Sequence, residues 1–295
     1  MMDILVLDES AVQQRLRYQE LIPAIAQALV ALSSGQVVQP VRVVLPVAPH
    51  GGFFAVMPAY AGALGAKLVT FYPQNVGIHT HHAVIVLFKA ETGEPLAMMD
   101  GRLITEMRTA AASAVATQQL ARADAAVLAI LGSGVQATSH LAALRHVRSF
   151  TEVRVWSPRN AAAFAQRHGV KAAASAQEAV RDADVVVVAA SATTPILQGR
   201  WLSPGTHVNA IGATRPEWRE LDDDLVTTAR VFVDSREAAL RESGDVIAAK
   251  SEVTEIGAVV AGAAAGRRSK EEITLFKSVG VAVEDVAAAA LVLRA

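Results

Sequence analysis

Three small residues, Gly132, Gly134 and Ala137, stand in "AVLAILGSGVQATSHLAAL" with GxGxxA spacing. An apolar run precedes them and a helical pattern that begins with Val135 and Gln136 follows, so the triplet lies in a strand–turn–helix context. Gly132 permits the tight turn, Gly134 lets a pyrophosphate approach backbone N–H groups at a helix N-terminus, and Ala137 lets helix and sheet pack closely. The spacing alone is a weak signal, but this context predicts a dinucleotide site.

The end of the next strand, "VRVW", indicates which dinucleotide binds. A site for NAD places Asp or Glu there to accept hydrogen bonds from the ribose, but this chain has Ser157, Pro158, Arg159 and Asn160. No carboxylate repels a 2′-phosphate, and Ser157 and Arg159 could bind one. We therefore predict NADPH as cofactor, with NADH as the alternative, although Arg159 could also be a surface residue at a helix start.

Three cationic residues stand in otherwise apolar or small-residue surroundings. Arg42 lies in "VQPVRVVLPV", Lys67 in "GAKLVTFY" and Arg108 in "LITEMRTAAASAVATQQL". Arg42 and Lys67 could point to the solvated face of half-buried strands, and Arg108 could form a surface ion pair with Glu106. If the three converge on one pocket, they suit a carboxylate substrate, for which Arg offers a bidentate fork and Lys a point charge.

The segment "GIHTHH" contains His79, His81 and His82. Strand alternation would place His79 and His81 on one face and His82 on the other, and no carboxylate group or thiolate stands nearby. We therefore predict no metal site and expect a strand entry, or an imidazole that faces a cofactor.

The elements that must position these residues differ along the chain. Residues 10–34 are helical, with Ser10 as cap, Pro23 as a break or kink and Gly35 as the stop. Residues 36–99 contain short β-branched and aromatic runs, which predict an antiparallel sheet of hairpins. From residue 126 strands alternate with helices, so the fold class is α/β, with a doubly wound Rossmann domain.

Composition bounds the function. The chain has 295 residues, a net charge of −1 and no cysteine, so it allows two domains and gives no general attraction to nucleic acid or acidic membranes. A disulfide framework, a thiolate nucleophile and a Cys-based zinc site are excluded. The N-terminus lacks a basic leader and no apolar run reaches the ~18 residues of a membrane span, so we predict a soluble, cytoplasmic protein.

Many ordered stretches carry a resemblance to a known family. They include "QPVRVVLPV", "KLVTFY", "RTAAASA", "LGSGVQA", "RPEWRELDDDL", "VDSREAALRESGDV" and "FKSVGVAVED". The chain resembles the ornithine cyclodeaminase/mu-crystallin family from end to end. The resemblance implies a homodimer, with an α+β dimerisation and substrate domain over residues 1–119 and 275–295 and the Rossmann domain inserted as residues 120–274.

The resemblance also implies roles for particular residues. Arg42, Lys67 and Arg108 match positions that hold the substrate carboxylate, and Arg108 also matches a position near the cofactor. Positions on or beside the cofactor are matched by His81, His82, Thr109, Ser191 and Thr193. Thr274 matches a position in the ligand pocket.

One departure within the family favours a particular reaction. The ornithine cyclodeaminases and related archaeal alanine dehydrogenases carry Asp where this chain has Thr214, and a carboxylate base suits deprotonation of an amine. Thr cannot be that base near neutral pH, whereas a cyclic imine needs no such step. We therefore expect reduction of small cyclic ketimines, Δ1-pyrroline-2-carboxylate and Δ1-piperideine-2-carboxylate, to L-proline and L-pipecolate, with Lys67 as the proton source.

Two other functions remain open at this point. One is ornithine cyclodeamination or amino-acid (alanine) dehydrogenation. The other is binding of an aromatic, thyroid-hormone-like ligand in a pocket that bound NADPH shapes. Among the remaining acids, Asp222 to Asp224 are predicted to cap a helix. The acids in "ESGD", residues 242–245, are expected in a turn and receive no chemical role.

Overall fold

The structure is a computed structural model that describes residues 4–295, and the chain divides into two compact units. The first, here called the discontinuous unit, runs up to Arg108 and resumes at Gly280–Ala295. The second, the inserted unit, is Thr109–Val279. Within residues 4–295, no helix combines the length and the apolar character needed to cross a bilayer.

The strands and helices are numbered in chain order. The strands are Leu5–Leu7 (β1), Val43–Val47 (β2), Gly52–Tyr60 (β3), Leu64–Phe71 (β4), His81–Phe88 (β5), Pro95–Asp100 (β6), Val127–Leu131 (β7), Glu152–Trp156 (β8), Lys171–Ala172 (β9), Val185–Val188 (β10), His207–Ala210 (β11), Arg230–Val233 (β12), Val253–Glu255 (β13) and Thr274–Lys277 (β14). The helices are Glu9–Arg15 (α1), Tyr18–Ser33 (α2), Arg102–Leu120 (α3), Val135–Leu144 (α4), Ala161–His168 (α5), Ala176–Val180 (α6), Asp223–Thr228 (α7), Arg236–Glu242 (α8), Gly244–Ala249 (α9), Ile256–Val260 (α10) and Ala282–Arg294 (α11).

The junctions between the units differ from those expected at residues 119/120 and 274/275. The first lies at 108/109, inside the continuous helix α3, so no turn residue marks it in the sequence. The second lies at 279/280, because β14 pairs with β11 and β12 and so belongs to the inserted unit.

The discontinuous unit contains a six-stranded sheet in the order β1-β6-β5-β4-β3-β2. Strands β2 to β6 form antiparallel ladders as predicted, and β1 joins β6 in parallel. Alternate residues such as Met57, Ile85 and Met99 are buried on one face, and helix α11 packs against β3, β4, β5 and α2. This inward face also carries Lys67, so the strand alternation places a cation among core residues.

The N-terminal helical region departs from expectation in two details. Asp8 is the N-cap, because its carboxylate accepts the Ala11 N–H at 2.8 Å, and Ser10 lies inside α1. The chain breaks between α1 and α2, whereas Pro23 lies within α2. Gly35, with φ +73°, follows the end of α2 as predicted.

The inserted unit contains an eight-stranded, all-parallel sheet in the order β13-β12-β14-β11-β10-β7-β8-β9. Its central strands read as continuous apolar runs, and all four valines of β10 are fully buried. The chain passes from β7 through β8 to β9 at one edge and then returns to β10 on the other side of β7. Ligands of doubly wound sheets bind at the carboxyl ends of the strands beside such a reversal, here between β7 and β10.

Candidate active site

The discontinuous unit holds a cluster of buried charges. Lys67 of β4 is 2% exposed and Arg108 of α3 is 4% exposed, so neither lies on a solvated face. The Lys67 Nζ atom lies 2.7 Å from Asp285 Oδ2, and Arg108 donates from Nε to Asp285 Oδ1 at 2.8 Å and from Nη1 to Glu284 Oε2 at 2.6 Å. The surface pair of Arg108 with Glu106 is therefore not formed; Glu106 pairs with Arg102 instead.

Arg42 joins the cluster through the backbone at Gly280. It precedes β2, is partly buried and donates from Nη2 to the Gly280 carbonyl oxygen at 2.5 Å. Gly280 has φ +77°, and a Cβ there would meet the Arg108 guanidinium. The three cations predicted from the sequence are thus brought together around Asp285 and Gly280.

The cluster contains three cationic and two acidic side chains. The cations Arg42, Lys67 and Arg108 face the carboxylates Glu284 and Asp285, which are both fully buried near the start of α11. Cationic side chains gathered in this way suit the binding of an anionic group, such as a substrate carboxylate.

Burial and neighbouring charges alter the protonation of the cluster. Burial lowers the pKa of Lys67 to about 7; Asp285 opposes that shift, whereas Arg108 and Arg42 add to it. Burial by itself would raise the pKa of Asp285, but Arg108 and Lys67 hold it below its usual value. Lys67 is therefore able to exchange a proton near neutral pH, while Asp285 stays ionised.

The three histidines separate. His81 begins β5 on the same face as Lys67, and burial, with Lys67 and Arg108 adding to it, lowers its pKa to about 3, so the imidazole is neutral. His82 points to the opposite face, and His79 precedes the strand, with its ring centroid 6.1 Å from that of His82. His79 thus does not share a strand face with His81. Among residues 4–295, no group of three potential ligands could hold a metal ion.

The glycine turn of the inserted unit has the geometry that a bound pyrophosphate needs. Gly132 has φ +126°, and a Cβ there would overlap the carbonyl oxygen of Ala189 at the end of β10. Gly134 caps α4 and faces open space, so its side is free for a ligand. Ala137 is fully buried where α4 meets the sheet, while Val135 is half exposed.

Other predicted cofactor residues follow neighbouring strands of the same sheet. Ser157, after β8, accepts a hydrogen bond from the Ser133 hydroxyl at 2.9 Å, and Arg159 is exposed. Ser191 and Thr193 are exposed in the segment after β10. These residues therefore lie at the carboxyl edge of the sheet, as the glycine turn does.

Gln136 and Thr109 are less exposed. Gln136 is partly buried in the first turn of α4, and its Oε1 atom is buried without a hydrogen-bond partner among the described residues. Thr109 is 8% exposed on α3.

Thr214 lies in the segment after β11, which we call the Thr214 loop, residues 211–221. A Cβ at Gly212 would overlap the carbonyl oxygen of Ala190, so the loop begins directly against the end of β10. Gly132 approaches Ala189 and Gly212 approaches Ala190, and therefore the glycine turn and the Thr214 loop flank the same two residues. Thr214 itself is partly buried.

Thr274 lies elsewhere. It begins β14 in register with His207, the first residue of β11, and so occupies the amino edge of the sheet. Its side chain is fully buried, and its hydroxyl contacts His207 Nδ1 at 3.0 Å and accepts from Arg267 at 2.9 Å. Because ligands bind at the carboxyl edge, the inserted unit does not bring Thr274 to its own glycine turn or to the Thr214 loop.

Buried acids were the residues that the sequence analysis missed or left without a role. Glu284 and Asp285 stand alone among Ala and Val residues in "AVEDVAAAALVLR", which was the available signal. Asp245 of "ESGD" is not in a turn but in α9, fully buried. Asp222 is the N-cap of α7 and accepts the Leu225 N–H at 3.0 Å, as predicted.

Comparison with known proteins agrees with this geometry. The profile of the ornithine cyclodeaminase/mu-crystallin family matches residues 2–294. The chain belongs to that family. It is 48% identical to the ketimine reductase mu-crystallin of Mus musculus, over 97% of this chain and 95% of that protein.

Two solved structures are also similar to this chain. The Δ1-pyrroline-2-carboxylate reductase of Thermococcus litoralis, in complex with NADH and L-proline, superposes with a TM-score of 0.94 at 37% identity over 99% of this chain and 97% of that one. An archaeal alanine dehydrogenase dimer with bound NAD has a TM-score of 0.93 at 35% identity, over 99% and 96%. Both neighbours hold a nicotinamide dinucleotide, and the glycine turn of this chain fits such a group.

A matched pair of substitutions tests the glycine turn. Gly132→Ala is expected to destabilise the protein by about 2 kcal/mol or more, because the methyl group overlaps Ala189 and the residue keeps φ +126°. Gly134→Ala should cost at most about 1 kcal/mol, since φ is −86° and no atom lies nearby. It should nevertheless weaken NADPH binding by about tenfold, because the added methyl group occupies the space that the pyrophosphate would need.

Thermal unfolding and titration of NADPH fluorescence measure these effects. A Gly134→Ala variant with the wild-type Kd would place the pyrophosphate elsewhere. A Gly132→Ala variant of unchanged stability would contradict the close backbone approach.

Proposed function

We propose that this protein is an NADPH-dependent reductase of cyclic ketimines that carry a carboxylate, such as Δ1-pyrroline-2-carboxylate and Δ1-piperideine-2-carboxylate, yielding L-proline and L-pipecolate. The observation that carries the proposal is the convergence of Arg42, Lys67 and Arg108 in one cluster around Asp285 and Gly280. The names of the family relatives, a ketimine reductase and a reductase bound to L-proline, support the same reaction.

The cluster would bind the substrate carboxylate. Arg42 and Arg108 offer guanidinium forks and Lys67 offers a point charge. Lys67 and Arg108 are buried, and charge-assisted hydrogen bonds are stronger away from bulk water. Asp285 and Glu284 hold Arg108 in one orientation, which reduces the reorganisation needed on binding.

Lys67 would supply the proton. A bound reduced nicotinamide would supply hydride to the imine carbon, and the imine nitrogen needs a proton to become the secondary amine. With a pKa of about 7, the Lys67 ammonium gives up its proton far more readily than an ordinary lysine. His81 cannot take this role near neutral pH, because its pKa of about 3 keeps it unprotonated.

Thr214 favours an imine over an amine as substrate. Oxidation of an amine begins with loss of an ammonium proton to a base, and the Thr hydroxyl is too weak an acid to exist as its conjugate base near neutral pH. An imine needs no such base. Thr214 would instead hydrogen-bond the substrate or a water molecule.

NADPH is the proposed dinucleotide because of the residues after β8. The segment "SPRN" there contains no carboxylate, while Ser157 presents a hydroxyl and Arg159 is exposed. A 2′-phosphate would find a cation and a hydroxyl at this edge, and NADH would lose only those contacts.

The proposal predicts rapid oxidation of NADPH, followed at 340 nm, with Δ1-piperideine-2-carboxylate or Δ1-pyrroline-2-carboxylate. The matched assay measures ammonia release from L-ornithine with NAD, which should be absent because no base is present at Thr214. Ammonia release without imine reduction would make the protein a cyclodeaminase. Preference for NADH of about tenfold or more would contradict the choice of NADPH.

A pH profile tests Lys67. The ratio kcat/KM is expected to fall as pH rises through about 7, because the folded-state pKa of Lys67 is lowered and the ammonium is lost above it. Lys67→Ala should reduce kcat/KM by about a hundredfold. Asp285→Asn removes the group that raises the pKa of Lys67, so the midpoint should move to lower pH.

The control for Asp285→Asn is Glu94→Gln, which removes the carboxylate of the exposed Lys89–Glu94 pair. This variant should keep the wild-type midpoint. An Asp285→Asn profile identical to wild type would remove Lys67 from the proton-transfer step.

The proposed assembly is a homodimer formed through the outer face of the six-stranded sheet. This face exposes the apolar residues Val6, Leu68, Val84 and Met98, at 64%, 37%, 37% and 40%, which form a patch across four neighbouring strands. A second copy of the same face would cover it, since an isologous contact is self-complementary. A related alanine dehydrogenase is described as a dimer.

Light scattering after size-exclusion chromatography tests the dimer. The wild-type chain should show twice the mass of one chain. The double variant Leu68→Glu/Val84→Glu should be monomeric, because these two residues face each other across β4 and β5. Val76→Glu, at a loop position 92% exposed, should stay dimeric. A dimeric Leu68→Glu/Val84→Glu variant would place the interface elsewhere.

A further inference from the structure

The inserted unit contains a second buried ionic network, formed by Lys277, Glu220 and Asp245, all fully buried. The Lys277 Nζ atom donates to Glu220 Oε1 and lies 3.3 Å from Asp245 Oδ2, and Arg219 Nε donates to Asp245 Oδ1 at 3.1 Å. We propose that this network holds the Thr214 loop in one conformation at the carboxyl edge of the sheet, and that Asp245 is a positioning residue for the reaction. The kinetic part of this inference rests on the proposed function.

Hydrogen bonds tie both ends of the Thr214 loop to the network. At the start of the loop, the Gly212 N–H donates to Glu220 Oε1 at 2.8 Å. At its end, Asp245 Oδ1 accepts the backbone N–H groups of Glu220 at 3.0 Å and Leu221 at 3.1 Å. Thr214 lies between these points, so its backbone has two fixed ends.

The start of α9 contacts the middle of the loop. The Gly244 N–H donates to the Arg215 carbonyl oxygen at 3.2 Å, and a Cβ at Gly244 would overlap the carbonyl oxygen of Trp218 and approach that of Pro216. Only glycine permits this approach. Because Asp245 follows Gly244 directly, one short segment supplies both the backbone contact and the carboxylate that holds the loop.

The energetics of buried ion pairs indicate that this network fixes a conformation and does not mainly raise the stability of the fold. Well-packed apolar residues in place of a buried ion pair are often neutral or stabilising, whereas buried charges can select one conformation. Glu220 also keeps Oε2 buried with no hydrogen-bond partner among residues 4–295, and burial raises the pKa of its carboxyl group. Burial of these charged groups costs free energy. A need to fix the geometry of the loop explains why the network is present.

The position of the loop explains why its geometry matters. Gly212 touches Ala190, and the neighbouring Ala189 touches Gly132 of the glycine turn. The Thr214 loop is therefore adjacent, within the same unit, to the turn that would bind the dinucleotide. A displacement of about 1 Å in such a position can lower turnover by about a hundredfold.

Hydrogen–deuterium exchange of Asp245→Asn tests the structural part, with Asp223→Asn as matched control. Asp223 also pairs with Arg219 but is 69% exposed and contacts no backbone of the loop. Asp245→Asn should raise exchange in peptides covering residues 211–221, while strands β7 and β10 stay protected. Asp223→Asn should leave both unchanged. Unaltered exchange of the loop in Asp245→Asn would overturn the inference, whatever the enzyme assay shows.

A double-mutant cycle with Thr214→Val tests the kinetic part. Asp245→Asn is expected to lower kcat about tenfold or more with little change in the KM for NADPH, which the glycine turn would bind. In the Thr214→Val background the same change should have almost no further effect, because Asp245 acts through Thr214. Effects that multiply in the double variant would contradict positioning of Thr214.

If Asp245→Asn also exposes β7 and β10, the variant has unfolded, and Glu220→Gln replaces it in both experiments. This variant keeps an oxygen for Gly212 and Lys277 but removes the charge. It should show the same loop-specific exchange and the same non-additivity, and wild-type behaviour would overturn the proposal. A wild-type protein without imine turnover would refute the proposed function alone, because the exchange result stands without catalysis.

Discussion

Cations buried away from water must be balanced by groups within the fold, and in the discontinuous unit this balance falls on Asp285. Its two carboxylate oxygens contact Lys67 and Arg108 separately, so one residue joins a strand to a helix distant in sequence. Removal of this carboxylate would leave two buried cations close together, which is strongly unfavourable. Burial in this cluster also brings the pKa of Lys67 close to neutrality.

The inserted unit also contains a buried cation that carboxylates must balance. Lys277 is fully buried at the end of β14 and is balanced by Glu220 and Asp245. The first cluster gathers Arg42, Lys67 and Arg108, to which we assign the binding of an anion. In the second, the carboxylates accept hydrogen bonds from backbone N–H groups, to which we assign the fixing of a loop.

Close backbone approach is the other constraint on the site. At the carboxyl edge of the parallel sheet, Gly132 and Gly212 each leave no room for a Cβ against the end of β10. These contacts bring the glycine turn and the Thr214 loop to the same point, next to the reversal of strand order. Gly134 has free space instead. The fold therefore requires glycine at positions 132 and 212, whereas at position 134 only a bound ligand would require it.

The sequence alone determined the fold class, the antiparallel and parallel sheets, the glycine turn and the identity of the three cations. These features depend on hydrophobic periodicity and turn residues, which are local in the chain. The sequence could not reveal which acids balance the cations, since Lys67 and Asp285 are far apart in the chain and meet only through folding. No turn residue marks the division at 108/109, because α3 continues through it without a break. Tertiary structure alone decided that Thr274 lies at the amino edge and that Asp245 accepts backbone N–H groups of a loop, because these depend on strand register and burial.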